Sequence, residues 1–236
     1  MDLFYQESLS VDSQGWKISR EESRHIEKVL RKKVGDQILF TNGKGLIHTV
    51  EIEFITPAGI QVRSLHHKQH PAPSQHLHIA IAPTKNTDRL EWFLEKATEL
   101  GIGEITPLLC ERSERKIVKP ERLEKILIRA LKQSQRHYLP LLRPMTAFQE
   151  FIQQQKQPAY LAHCNPGPKK GIWELGPKDL PLTILIGPEG DFSPAEIEYA
   201  SLHKHQMLDL GSLRLRTETA GILAVSAFHR LAEQIK

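Results

Sequence analysis

The chain is poor in several features that would assign it to a special class. Two cysteines in 236 residues, Cys110 and Cys164, are too few for a disulfide scaffold and fit a reducing compartment. No apolar run approaches the roughly 18 residues that a bilayer-spanning helix needs. The opening MDLFYQESLS lacks the basic and apolar regions of a secretion signal, so a cytoplasmic protein is expected. Neither G-x-G-x-x-G nor G-x-x-x-x-G-K-[ST] occurs, which removes the dinucleotide fingerprint and the Walker phosphate loop. G-x-S-x-G and H-E-x-x-H are also missing, and with them the nucleophile elbow and the zinc-peptidase helix. His66, His67 and His70 have no Cys or carboxylate partner at ligand spacing, so no metal is expected.

The remaining composition is globular, 39% hydrophobic and 25% charged, with length for one or two domains. The net charge of +4 is unevenly spread: residues 110–145 hold ten Lys/Arg against four Asp/Glu, between nearly neutral flanks. A local excess of this kind suits either a polyanionic partner or a solvated amphipathic helix.

The first part of the chain reads as β-rich. Ser19 and Glu22 form a capping box that opens a helix through Ile26, Val29 and Leu30. Strands are expected at 37–41, 46–55 and 60–65, joined by turns at Asn42-Gly43-Lys44-Gly45 and Pro57-Ala58-Gly59. The unpatterned stretch 66–75, with two prolines, reads as a linker. A domain over 1–72 and a second over 73–236 follow. In the second, short apolar runs at 77–82, 105–109, 159–163, 182–186 and 207–210 alternate with helices. One helix carries Leu90, Phe93, Leu94, Ala97 and Leu100 on one face and closes at Gly101, another starts at Pro120, and the last starts near Thr217. Such alternation specifies an α/β domain with a mostly parallel sheet, and the uninterrupted apolar run Leu182–Ile186 suits a strand covered on both faces.

Ligands of open α/β sheets bind beyond the carboxyl ends of strands, and two segments there draw attention. In Ile186-Gly187-Pro188-Glu189-Gly190-Asp191-Phe192-Ser193-Pro194-Ala195-Glu196, a strand runs through a glycine loop into a helix capped by Ser193 and Glu196. In Leu210-Gly211-Ser212-Leu213-Arg214-Leu215-Arg216-Thr217-Glu218-Thr219-Ala220, arginines alternate with leucines before the last helix. Each loop suits a ligand and each also suits a plain tight turn; both follow strands of one sheet and should lie close together. Cys110 and Cys164 end predicted strands, where a small buried thiol is the commoner use.

These segments, with Lys96-Ala97-Thr98-Glu99-Leu100-Gly101, Glu111-Arg112-Ser113 and Gln133-Ser134-Gln135-Arg136 leading to Pro140, resemble the bacterial 16S ribosomal RNA uridine-N3 methyltransferase family of the SPOUT superfamily. The resemblance spans essentially the whole chain, including His25 and Val29-Leu30-Arg31. It implies an N-terminal PUA-like RNA-binding β-barrel and an α/β domain with a mostly parallel sheet and a deep C-terminal trefoil knot, a rare exception to ordinary connection rules. It also implies S-adenosyl-L-methionine as cofactor, 16S rRNA in the small ribosomal subunit as partner, and a homodimer. The implied cofactor residues are Leu161, His163, Ile186, Gly187, Pro188, Gly190, Leu210, Gly211, Leu213, Leu215, Thr217 and Thr219. The implied RNA-facing residues are His25, Arg31, Arg112, Arg115, Lys116 and Arg136.

Two positions depart from the family pattern. Asp191 stands where a second glycine is usual, and Leu213-Arg214 reverses the usual basic-then-apolar order. Methylating uridine N3 requires removal of its proton and stabilisation of the resulting negative charge. Arg136, Arg112 and Arg216 are the candidate stabilising cations. Glu189 and Glu218 are the candidate bases, although Glu218 also suits a helix cap and Glu189 a loop fastener. The competing readings are a non-catalytic ribosome-associated RNA-binding protein and a SPOUT methyltransferase with another RNA target.

Overall fold

Alternating burial along the early strands builds a β unit on its own core. The computed structural model describes residues 2–233 and divides into two compact units, the first made of residues up to Ala72 together with Leu131–Leu139. The first unit contains β1 (Leu3–Tyr5), β2 (Gly15–Lys17), α1 (Arg20–Arg24), β3 (Gln37–Thr41), β4 (Leu46–Thr56) and β5 (Gly59–Gln69). Its five strands run in the order β1-β3-β4-β5-β2. β3, β4 and β5 form an antiparallel meander, and β1 joins parallel to β3. Phe4, Ile38, Phe40, Val50, Ile52, Ile60 and Val62 fill the core.

The Asn42 to Gly45 turn forms as expected: the Asn42 carboxamide accepts the Lys44 amide at 2.8 Å, and Gly43 and Gly45 take φ of 69° and 89°. Ser19 caps α1 by accepting the Glu22 amide. The Glu22 carboxylate does not complete the box and bonds the Lys132 ammonium instead. Past α1 the chain makes a π-type turn over His25–Val29. This wider winding breaks the 3.6-residue register, so Val29 is exposed while Ile26 is buried, contrary to the expected face.

Two further expectations change. The predicted linker begins later, because His66 to Gln69 continue β5 and pair with β4 down to Leu46. The alternation is absent because this end of β5 is exposed on both faces. Residues 131–139 also belong to the first unit, where Leu131 and Leu139 pack with Leu3, Ile47, Tyr5 and Leu39.

The second unit contains β6 (Leu77–Ile81), α2 (Thr87–Leu100), β7 (Glu104–Leu109), most of α3 (Pro120–Ser134), β8 (Leu141–Leu142), β9 (Thr146–Ala147), α4 (Phe148–Gln154), β10 (Tyr160–Ala162), β11 (Lys170–Gly171), β12 (Leu182–Ile186), α5 (Pro194–Leu202), β13 (Gln206–Asp209) and α6 (Thr217–Glu233). The sheet order is β11-β13-β10-β12-β6-β7-β8, and every pairing in it is parallel. Leu182–Ile186 is covered as expected of a central parallel strand, with Ile184, Leu185 and Ile186 buried.

Gly101 closes α2 at φ 87° and Ser193 with Glu196 forms the expected capping box on α5. The connection from β12 to β13 steps across β10, and α6 then doubles back to pack on α2, β6 and β12. This is the SPOUT-like α/β arrangement. It sets the carboxyl ends of β10, β12 and β13 side by side.

Candidate active site

Loops leaving those three adjacent strands surround a cleft of about 660 Å³, within the usual range for small-molecule sites. Ala162 to Cys164 and Lys169 form one wall, Ile186 to Asp191 a second, and Asp209 to Thr217 with Ala220 a third. Each loop is fastened by side chains that the sequence places beside it. Thr217, at the start of α6, donates its hydroxyl to the Gly187 carbonyl at 3.1 Å. A Cβ added at Gly187 would lie 3.1 Å from the Phe192 ring, so glycine lets this loop turn closely over a buried phenyl group.

Asp191 explains its own departure from the family pattern. It holds φ at 62°, a region that Asp tolerates better than most residues. Its Oδ2 accepts the Cys164 amide at 2.9 Å and the Asn165 side-chain amide at 3.2 Å, while Oδ1 accepts the Phe192 amide at 2.8 Å. The carboxylate thus joins the first wall to the second, which glycine could not do. Lys169 donates to the His163 and Asn165 carbonyls at 3.0 and 2.9 Å. Glu196 is buried on α5, accepting the Ser193 and Glu111 amides at 2.8 Å each.

His163 is nearly fully buried, yet neither ring nitrogen has a hydrogen-bond partner among the described residues. Burial, and then the nearby Lys169 charge, push its pKa down, against smaller raising effects from Asp191 and the Asn165 backbone. It therefore contributes a neutral imidazole to the cleft wall. A buried polar group without a partner costs roughly 1–3 kcal/mol. Leu213 is 78% exposed, an uncovered apolar surface beside the glycine loops. At Gly211, φ is 115° and a Cβ would meet nothing within 4 Å. Glycine here meets a backbone requirement and leaves open space.

Most of the expected cofactor residues meet in this cleft: His163, Ile186, Gly187, Pro188, Gly190, Leu210, Gly211, Leu213, Leu215 and Thr217, together with Glu189 and Arg216. Leu161 does not line it, because it is sealed in the core against Ala80, Leu185 and their neighbours. Thr219 and Glu218 do not line it either: successive residues of α6 turn by about 100°, carrying them off the Thr217 face. Glu218 instead faces Arg89 of α2 at 3.8 Å.

Glu189 sits on the rim and accepts the Lys85 amide at 3.0 Å. Arg112 donates to the Gly190 carbonyl at 2.8 Å. Arg115 donates to the Thr84 and Lys85 carbonyls at 3.1 and 2.7 Å, so its guanidinium fastens the loop after β6. Lys116 is exposed in the second unit, and His25 and Arg31 are exposed in the first. Arg136 belongs to the first unit, where burial lowers its pKa from the ordinary arginine value.

The sequence reading missed Lys169 and Asp209 as cleft residues, whereas the resemblance places Cys164 in the loop 163–165. Lys169 follows an unpatterned polar stretch, and Asp209 stands one residue before the loop that begins at Leu210. Cys164, expected as a buried thiol, is exposed on the cleft wall, whereas Cys110 is buried.

Comparison with known proteins extends these observations. The RNA methyltransferase domain family matches residues 70–229, and the RNA methyltransferase PUA domain family matches residues 18–63. Ribosomal RNA small subunit methyltransferase E of Rickettsia conorii is 30% identical over 205 residues, 86% of this chain and 84% of its own. A solved protein of Porphyromonas gingivalis is 34% identical over the full length of both chains, with a TM-score of 0.89. Ribosomal RNA small subunit methyltransferase E of Neisseria gonorrhoeae, solved bound to S-adenosyl methionine, is 26% identical over 98% of each chain, with a TM-score of 0.86. From the β unit to the cleft at the carboxyl ends of the parallel strands, the chain belongs to the family of ribosomal RNA small subunit methyltransferase E.

Proposed function

We propose that this chain methylates N3 of a uridine in the 16S RNA of the small ribosomal subunit, with S-adenosylmethionine as donor, in the cytoplasm and as a homodimer. The observation that carries this reading is the cleft itself: three fastened loops at adjacent parallel strand ends, with glycine, leucine and an unpartnered imidazole on their walls. The chain's family membership and the Neisseria relative's bound cofactor support the identity of the donor. Among the described residues no helix is long and apolar enough to cross a membrane.

The residues present fit that donor. Leu213 and Leu215 would cover the faces of its adenine, and backbone groups of residues 187–190 and 210–217 would hydrogen-bond its edge. When bound, the donor supplies an electrophilic methyl group on a positively charged sulfur. The chain's own residues manage the uridine. Loss of the N3 proton spreads negative charge onto the base oxygens, and a cation held in a poorly hydrated site stabilises that charge more strongly than water does. Arg216, exposed on the cleft wall, is the residue assigned this role, and Arg112 holds the Gly190 carbonyl. Glu189, on the rim, is the candidate proton acceptor; Glu218, turned toward Arg89, is the weaker one. Arg136 is assigned to gripping the RNA or stabilising charge.

Calorimetry with S-adenosylmethionine and mapping of labelled methyl groups on small-subunit RNA test the reading together. A product other than 3-methyluridine removes the N3 assignment. Arg136→Ala should abolish most methyl transfer while cofactor affinity stays within about twofold; equal loss of both overturns its role. Comparing naked RNA with unmodified small subunits identifies the substrate form, and sedimentation velocity tests the dimer.

A further inference from the structure

At one end of the first unit three segments interlock through backbone bonds. The Gly45 amide donates to the His137 carbonyl at 2.9 Å, the Leu139 amide to Gly43 at 2.8 Å, and the His70 amide to Gly45 at 2.8 Å. The Tyr138 hydroxyl donates to the His70 carbonyl at 2.8 Å, and the Gln69 side chain to Lys44 at 3.0 Å. A Cβ on Gly45 would collide with the Tyr138 ring, so the contact is close. Backbone and side-chain bonds tie the three segments together, and the formal charge they carry is of one sign.

Residues 42–46, 66–70 and 135–139 contain Lys44, His66, His67, Lys68, His70, Arg136 and His137 and no Asp or Glu. The rings of His70 and His137 stack with centroids 3.7 Å apart. Burial lowers the pKa of His137, and His70, Lys68 and Arg136 lower it further by charge. His48 and His67 form a second ring contact, with centroids at 5.3 Å. Like charges gathered on a stiff backbone repel one another, at a cost that an approaching anion reverses.

We propose that Lys68, His70 and His137 form a phosphate-binding platform for the RNA backbone, whose grip strengthens as the His137 ring takes up a proton. The proposal rests on the reading that the chain binds RNA, and it adds a site distinct from the methyl-transfer cleft. RNA phosphate is favoured over other polyanions because the chain belongs to a ribosomal RNA methyltransferase family. A bound phosphate favours imidazolium, so binding should draw a proton onto His137. Affinity should then rise as pH falls toward the His137 pKa of the free protein and level off below it.

The test uses the full chain and a fluorescein-labelled hairpin cut from small-subunit ribosomal RNA, with affinity measured by anisotropy at pH 8.0 and 6.0. Each phosphate contact changes log K by about 0.9 per decade of salt, or roughly eightfold per contact near 0.1 M. Lys68→Ala should weaken binding about five- to tenfold at both pH values and flatten the salt slope by about one. The doubly substituted His70→Gln, His137→Gln chain should lose most of the wild-type gain at pH 6.0. Its melting temperature and its calorimetric affinity for S-adenosylmethionine should stay unchanged. If the double variant keeps the full pH response, or Lys68→Ala binds like wild type, the platform is overturned while RNA binding stands. If the wild-type chain binds no RNA at either pH, the RNA reading falls and the platform with it.

Discussion

Gly221→Ala pits two opposing effects against each other, and the structure decides which prevails. In an ordinary helix interior the substitution stabilises by about 1 kcal/mol, because alanine restricts the unfolded chain and favours the helix. Here α6 crosses α2 so closely that the new methyl would lie 2.6 and 2.8 Å from two carbons of the Phe93 ring and 3.2 Å from Ile81. Both neighbours are completely buried, and an aromatic ring has no flexible end that could yield. Overpacking of this kind costs typically 1–3 kcal/mol, and the short contacts place it at the upper end. The net expectation is destabilisation by about 1–2 kcal/mol, a fall in melting temperature of roughly 2–8 °C for a unit of this size. Phe93→Leu, which removes the ring edge, should make the two substitutions together less damaging than their sum by at least about 1 kcal/mol. The displaced helix also begins at Thr217, so affinity for S-adenosylmethionine should drop several-fold. Thermal melts of the three variants check the argument, and a Gly221→Ala chain that melts higher than wild type would refute it.

Thr217→Val should remove the hydroxyl bond to the buried Gly187 carbonyl and destabilise by about 1–3 kcal/mol; urea titration checks this, and cofactor affinity should fall with it. Cys164 is exposed on the cleft wall, whereas burial pushes the Cys110 thiol far above its usual range. A maleimide should therefore label the folded chain at Cys164 alone, and saturating S-adenosylmethionine should slow the labelling, as mass spectrometry would record. Acid should weaken the network at the start of β6 and β7. Burial opposes the Glu104 charge, but hydrogen bonds from His76 and Arg143 prevail and hold its pKa at about 2, while burial pushes His78 down to about 4. The unfolded chain therefore takes up protons that the folded chain refuses. Stability should fall from about pH 6.5 as His78 resists charging, and further from about pH 5 toward 2 through Glu104. Glu104→Gln should flatten the lower part of that curve, and a urea midpoint constant between pH 6.5 and 3 would contradict the account.

Local signals were legible in the sequence wherever local forces decide the structure. Gly101 ends α2 because only a left-handed residue closes that turn, and Ser193 with Glu196 opens α5 through bonds made within one turn. The run Leu182–Ile186 announces a strand covered on both faces. Elements held by partners were not legible. β1 and β2 are three residues each and exist through pairing with β3 and β5. The His66 to Gln69 end of β5 depends on β4 rather than on any pattern of its own. In the cleft, the glycine and leucine loops stood out by composition, whereas Lys169 and Asp209 are single polar residues with no local mark. Leu161 was expected from the resemblance and Glu218 from its place in the last loop, but the alternation of a strand buries the first and the rotation of a helix carries the second off the Thr217 face.

Residues 131–139 complete the first unit from far along the chain, with Leu131 and Leu139 packed on Leu3 and Ile47. No single cut therefore yields the β unit intact. A fragment ending at residue 72 would carry an open apolar patch and half a histidine pair, and would report poorly on what that unit binds. The remainder of the chain would be left with a loose segment that has nothing to cover. Truncation experiments would then read a folding defect as a loss of RNA recognition. To be tested in isolation, the β unit has to be built with residues 131–139 grafted onto it.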